Sequence, residues 1–402
     1  MTRSAISLRT RLAAISLLIM IGLGLGVCLL EITARLFYPT SDFFYEWDPV
    51  IGMKLVPGKQ GRSVKRGIFD VQIEVNSVGF RDRDHVIEKP AGTRRIVLLG
   101  DSFLEAMQVR FEESLTPLLE QRLQSSGPTE LINMSVSGTG TARQYLALRE
   151  YGLRYKPDLV LLFFVGNDVS DNSRRLQGRS YVPYPQTKAT GELALDEAGR
   201  PLFTPFADQS SRLGSVAGAL RDHSKGYRLV RELVTSSPGS NRILYRFGLM
   251  STPPEAVNAP ADDNFGFYEI YRVEPKQVWA EAWHVTEQMI LAVRGLANSN
   301  GARFGVVLIP AAWDVDSQAW EDILDRLPMM RDTHVDRERP STLLSEFLTR
   351  NDVPVVNLLP ALRTRAESGP PLYLDGDAHW TPEGHLAAAD LLAGPVNQLL
   401  NQ

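Results

Sequence analysis

The chain reads as an α/β protein: a mostly parallel, doubly wound sheet covered on both faces by helices, with one membrane-spanning helix ahead of it. Three observations predict this. Short apolar runs recur at Ile96–Leu99, Leu131–Ile132, Leu159–Val165, Phe304–Ile309 and Val353–Val356. Stretches with helical spacing of their apolar residues lie between them. Runs that are apolar throughout, rather than alternating, belong to strands buried on both faces, as in a parallel sheet between helices. Finally, Leu12 to Leu30 carries no charge.

That uncharged run would form a helix about 28 Å long, enough to cross a hydrocarbon core. Arg3, Arg9 and Arg11 precede it, and Glu31 and Arg35 end it. Arginine on the N-terminal side places that side in the cytoplasm and the remaining chain outside. A cleaved signal peptide ending at Ile32-Thr33-Ala34 is the rival reading. A lipoprotein at Cys28 is a third, opposed by the bulky Val27 before it.

Residues 36–93 form a small β-rich lead-in. Its aromatics Phe37, Tyr38, Phe43, Phe44, Tyr45 and Trp47 are placed to sit at a membrane interface. Phe69–Val75 alternates like a strand, and Asn76–Gly79 reads as a turn. The main domain, 94–402, opens with the strand at Ile96. Leu115, Leu118, Leu119 and Leu123 mark a helix, and Ala142–Tyr155 a second. Val278–Asn298 and Leu343–Leu348 are further helices, and Thr381–Leu400 is the last, with Thr381 as N-cap and Pro382 at its first position. Residues 171–275 interrupt this rhythm. They are rich in Ser, Arg, Pro and Asp, with a hairpin over Leu193–Phe203 and a short amphipathic helix over Tyr227–Val234. The span is either an insertion shaping a substrate site at the C-terminal sheet edge or a solvated linker.

A net charge of −4 gives no basic footprint, so nucleic acid is not an expected partner. A single cysteine excludes an internal disulfide framework and a multi-cysteine metal site. No two of the six histidines have metal-ligand spacing, so neither metal nor cofactor is expected.

The chemistry lies just after the strands. Gly100-Asp101-Ser102 follows the first and opens a helix, whose N-terminus favours developing negative charge on a nucleophile. Gly138 follows the second, and a glycine there lets a backbone N–H approach a reacting carbonyl. Gly138-x-Gly140 also begins like a dinucleotide loop, but Arg143 occupies the third glycine position. Gly166-Asn167-Asp168 follows the third strand, offering a side-chain amide as a further oxyanion donor beside the Ser102 and Gly138 N–H groups. In a doubly wound sheet all these strand ends meet at one edge. Asp377-Ala378-His379 precedes the last helix and supplies an imidazole base with a carboxylate to fix its tautomer. His385, on that helix, reads as a surface or core residue.

This ordered set resembles the SGNH (GDSL-type) hydrolase superfamily, over about residues 94–400 without the 171–275 span. Asn76–Asp82 is similar to a lead-in of its membrane-anchored bacterial members. The resemblance implies a flavodoxin-like three-layer α/β/α sandwich and ester or acyl-transfer chemistry. Many members carry the aspartate three residues before the histidine. Here that position is Gly376, between Asp375 and Asp377. The Asp-x-His-Trp pattern through Trp380 is similar instead to the alginate O-acetyltransferase group, which favours Asp377 as the orienting acid and raises acetyl transfer onto a polysaccharide.

Three functions follow as expectations. The first is a membrane-anchored serine esterase acting on an acylated small molecule or polysaccharide. The second is an acyltransferase to a sugar hydroxyl. The third is a carbohydrate-binding scaffold, opposed by the complete set of Ser102, Gly138, Asn167, Asp377 and His379.

Overall fold

The computed structural model describes residues 8–38, 40–207, 219–220, 223–235 and 265–401. It begins with helix α1 (Leu8–Phe37), whose apolar residues from Leu12 to Leu30 are exposed. This helix is long and apolar enough to cross a membrane, with mean hydropathy 2.6 over its most apolar 18 residues.

Two antiparallel pairs follow: β1 (Tyr45–Asp48) with β2 (Gly52–Leu55), and β3 (Gln60–Lys65) with β4 (Phe69–Glu74). In β4 burial alternates, with Val71 and Ile73 turned inward. They join Phe44, Leu55 and Val75 in a small core that also takes in Met107 of the main domain. Phe44 therefore lies inside the lead-in rather than at an interface, and the Tyr45 hydroxyl donates to Glu105 at 2.7 Å. Among these aromatics Phe37 is the most open, at 76% exposed.

The main sheet contains β5 (Arg94–Leu99), β6 (Thr129–Asn133), β7 (Leu159–Phe164), β8 (Arg303–Leu308) and β9 (Val355–Asn357). All neighbours are parallel, in the order β6-β5-β7-β8-β9. This is the flavodoxin-like order, whose switch point lies between β5 and β7. The continuous apolar runs divide by pleat. Ile96 and Leu98 pack with the helices Leu115–Leu123 (α3 below) and Pro382–Asn401, while Val97 and Leu99 pack against Thr141–Ala147 and Gln277–Ser299. The result is a three-layer α/β/α sandwich.

Its helices include α2 (Ser102–Glu105), α3 (Leu115–Leu123), α4 (Thr141–Ala147), α5 (Asn167–Asp171), α6 (Lys225–Thr235), α7 (Gln277–Ser299), α8 (Arg339–Arg350) and α9 (Pro382–Asn401). The helix expected over Ala142–Tyr155 is not one α-helix. It passes from α4 into a π-type turn at Leu148–Gly152 and then a 3₁₀ turn at Leu153–Tyr155. Apolar spacing reports a helical face but not which carbonyl each N–H selects. The last strand lies slightly later than expected, at Val355–Asn357, because Val353 is spent on closing the turn after α8. The hairpin expected over Leu193–Phe203 gains a third extended segment: Thr187 bridges Leu193, Leu195 bridges Pro201, and Pro185 bridges Phe203. The amphipathic helix expected over Tyr227–Val234 is α6. The rest of the 171–275 span falls partly outside the described residues.

Candidate active site

The Asn76–Asp82 segment ties the lead-in to the loop after β5. Asn76 Oδ1 accepts from the N–H groups of Val78, Gly79 and Phe80 at 2.9–3.1 Å, forming a tight turn. Arg81 then donates to the carbonyls of Glu105, Ala106 and Val109, and Asp82 accepts from the Asn133 N–H at 2.8 Å. These bonds hold α2 to a single turn. Asp101 is its N-cap, with Oδ1 accepting from the Phe103 N–H at 3.0 Å, and Ala106 ends it at φ 52°. A left-handed alanine costs about 1 kcal/mol, so the Arg81 clamp offsets strain stored at the end of the Ser102 helix.

Ser102 opens α2 at the end of β5. Its Oγ lies 2.8 Å from His379 Nε2. On the other side of the ring, His379 Nδ1 lies 2.5 Å from Asp377 Oδ1. The loop before α9 makes this possible. Leu374 bonds both the His379 carbonyl, through its N–H at 2.9 Å, and the Asp377 N–H, through its own carbonyl at 3.1 Å. Gly376 sits at φ 71°, the left-handed region that closes such a turn without Cβ strain. Thr381 caps α9, accepting from the Gly384 N–H at 3.1 Å. Trp380 is fully buried and Phe103 stands edge-on to it at 5.3 Å, with the His379 ring 5.1 Å from Phe103. The imidazole is thus gripped by its packing as well as by hydrogen bonds.

Burial alone would push the Asp377 carboxyl up. Hydrogen bonds from His379 and from Lys65 outweigh it and hold the group well below the usual carboxylate range. Asp375, the alternative acid, is exposed. His385 is a core residue: it is buried, accepts from the Leu115 N–H at 3.2 Å, and burial depresses it to about 3.

The oxyanion candidates are less uniform. Gly138 lies at φ 66° in the loop after β6, next to Thr139, whose hydroxyl donates to the Gly100 carbonyl at 3.1 Å. Its N–H has no hydrogen-bond partner among the described residues, and its carbonyl accepts from Arg143 and Arg179. Asn167 opens α5 beside α2, but its amide is not free. Nδ2 donates to Asp101 Oδ2 at 2.9 Å and to Asp171 Oδ2 at 3.1 Å. Both amide hydrogens are engaged by buried carboxylates in this structure. Burial raises Asp101, and it raises Asp171 to about 6, against the pull of Arg179 and Asn167. Asp168, buried beside both, is raised well above the ordinary range by burial and then by its acidic neighbours.

An open groove of about 1240 Å³ runs beside the Asp375–Ala378 loop. Tyr268, Trp313, Tyr373, Arg326, Arg337 and Arg363 line its wall. It shares Asp377 with the Ser102–His379 line, while Ser102 and His379 themselves stand outside it. Among the described residues no three His, Cys, Asp or Glu side chains converge as a metal site would require.

A three-layer parallel α/β fold with a serine, an imidazole and a carboxylate in line at its switch point has the parts that a serine hydrolase uses. The chain belongs to the GDSL-like lipase/acylhydrolase family, whose model matches residues 98–387. It is therefore an ester-hydrolysing enzyme of the SGNH type. A search of curated proteins finds no match. Among solved structures, TesA is similar at 11% identity over 76% of this chain and 99% of that one, with TM-score 0.37. The acetyl xylan esterase AlAXEase is similar at 13% identity over 75% and 99%, TM-score 0.36. The psychrotrophic esterase EstA from Pseudoalteromonas sp. is similar at 11% over 77% and 100%, TM-score 0.35.

Proposed function

We propose that the protein is a serine esterase that cleaves O-acyl esters, O-acetyl groups foremost, through an acyl-serine intermediate on the exported side of a membrane. The observation that carries this reading is the unbroken line Ser102–His379–Asp377, at 2.8 and 2.5 Å. Ser102 Oγ attacks the ester carbonyl while His379 Nε2 takes its proton. Asp377 holds the ring so that Nδ1 keeps its hydrogen and Nε2 faces the serine. The N–H groups of Ser102 and Gly138 receive the oxyanion, joined by Asn167 when its amide turns from a carboxylate toward the substrate. His379 returns the proton to the leaving alcohol, and water then releases the acyl group. The measurement that tests the reading is hydrolysis of a series of acyl esters, run beside labelling by a serine-directed fluorophosphonate. Failure of both with the intact enzyme overturns it.

Asn167→Ala is expected to lower kcat about 10²-fold with little change in KM, since an oxyanion donor acts mainly in the transition state. A folded variant with wild-type kcat would leave Asn167 only the task of separating Asp101 from Asp171.

The groove favours a second reading, transfer of the acyl group to a sugar hydroxyl. Its half-exposed aromatic faces at Tyr268, Trp313 and Tyr373 suit a bulky glycan next to the catalytic loop. Adding a soluble glycan acceptor to an activated acetyl ester separates the two: transfer yields acetylated glycan, hydrolysis only acetate.

In this reading Leu12–Leu30 is an uncleaved anchor, residues 36–93 are a lead-in unit and 94–402 the hydrolase domain. The mature protein is expected to pellet with membranes and keep Met1 or Thr2 at its N-terminus, and a C-terminal reporter is expected to be active only outside the cytoplasm. A soluble form starting near Arg35 would show a cleaved signal peptide instead.

A further inference from the structure

The acid of the catalytic line has a second partner, supplied from more than three hundred residues earlier in the chain. Lys65 closes β3 at the tip of the β3–β4 hairpin, paired in register with Phe69. Its Nζ donates to Asp377 Oδ2 at 2.8 Å and to the Gly376 carbonyl at 2.6 Å. Ile68, in the same tip, brings its Cδ1 to 3.1 Å from where a Cβ on Gly376 would stand. The hairpin tip thus rests on the loop that carries Asp377, behind the carboxylate as seen from His379.

We infer that Lys65 is a positioning residue of the hydrolytic site, standing fourth in line behind Ser102, His379 and Asp377. This rests on the esterase reading above. The two oxygens of Asp377 are divided: Oδ1 faces His379 and Oδ2 faces Lys65. A carboxylate held at both oxygens has lost its rotation about the terminal torsion, so Oδ1 stays on the imidazole. The ammonium also offsets part of the carboxylate's charge. The Lys65 side chain is 44% exposed, so solvent weakens this influence without removing it.

Other groups face His379 as well. Asp101 at the start of α2 acts on it through space, while His385 of α9, behind Trp380, is held neutral by its burial. Asp375 stands on the same loop, exposed. Lys65 is the cation in direct contact with the acid, and its hairpin is fixed from the anchor side. Asp42 Oδ2 accepts from the Arg62 N–H at 2.8 Å, and Ser41 Oγ both accepts from and donates to Val64 at 2.8 Å. The lead-in is thereby part of the catalytic unit and more than a spacer from the anchor.

The test is kcat and kcat/KM against pH for the full chain and for Lys65→Met, Lys65→Arg and Ile68→Ala, each with its thermal midpoint. Lys65→Met is expected to lower kcat about tenfold and to move the acid limb of kcat/KM to higher pH by about half a unit or more. Lys65→Arg is expected to recover most of both. Ile68→Ala loosens the same contact without changing charge and is expected to leave the limb in place. A limb unmoved in Lys65→Met overturns the inference, and so does an equal shift in Ile68→Ala. Ser102→Ala, run alongside, separates the two levels. If it is fully active, the esterase reading fails and this inference with it; if it is inactive while the limb stays put, the inference alone fails.

Discussion

Ser102→Ala is expected to abolish ester hydrolysis, with kcat falling about 10⁴-fold or more, and to stop fluorophosphonate labelling altogether. The size follows from what is lost. Without Oγ there is no acyl-enzyme, and His379 has no proton to take, so only oxyanion stabilisation and binding remain. Labelling is the stricter readout, because it requires the nucleophile itself. The fold is expected to survive: the change removes one hydrogen bond to a half-exposed imidazole, worth about 1 kcal/mol. Neighbouring serines offer no substitute. Ser135 is buried, and the Ser137 hydroxyl is committed to Glu105. A variant that still labels fully would move the nucleophile elsewhere and take the roles proposed for His379 and Asp377 with it.

The parts of the fold that were legible are those where one residue's surroundings are dictated by its own run. Leu159–Phe164 is apolar at every position because both its faces are covered, and six residues between turn signals suit a buried strand better than a helix. The order Gly100–Ser102, Gly138, Asn167 was legible as a shared edge because parallel strands deliver their C-terminal ends to one side. Partner choice was not legible. Asn167 reads as a loop amide after a strand, but nothing local says that Asp101 and Asp171 take its hydrogens. Phe44 and Tyr45 read as interfacial because they follow an apolar helix, whereas the antiparallel pairs beyond them supply a core that the aromatics fill. Nothing in the sequence sets Lys65 apart from other charged residues. Its contact with Asp377 depends on docking two elements separated by most of the chain, and neither segment's pattern encodes that.

Asp377→Asn is expected to lower kcat about 10³- to 10⁴-fold, while Asp375→Asn costs less than about tenfold. The geometry sets the two apart. Asp377 Oδ1 faces His379 Nδ1 at 2.5 Å and also accepts from the His379 N–H at 3.2 Å, so one oxygen fixes both the ring and the backbone that carries it. An asparagine can turn its NH₂ toward Nδ1. The imidazole must then carry its hydrogen on Nε2, where it points at Ser102 and cannot accept a proton. If the amide instead presents its oxygen to Nδ1, its NH₂ faces the Lys65 ammonium, donor against donor. Neither orientation keeps all three partners satisfied, which is why the loss is expected to be large even though the side chain changes by one atom. Asp375 is exposed, two residues away across the Gly376 turn, and its replacement leaves every one of these bonds in place. The comparison is made at a pH where the wild-type rate is flat, with thermal midpoints to show that both variants are folded. Should Asp375→Asn prove the more damaging, the loop must rearrange in solution to bring the other carboxylate onto the imidazole, and the assignment of the orienting acid is reversed.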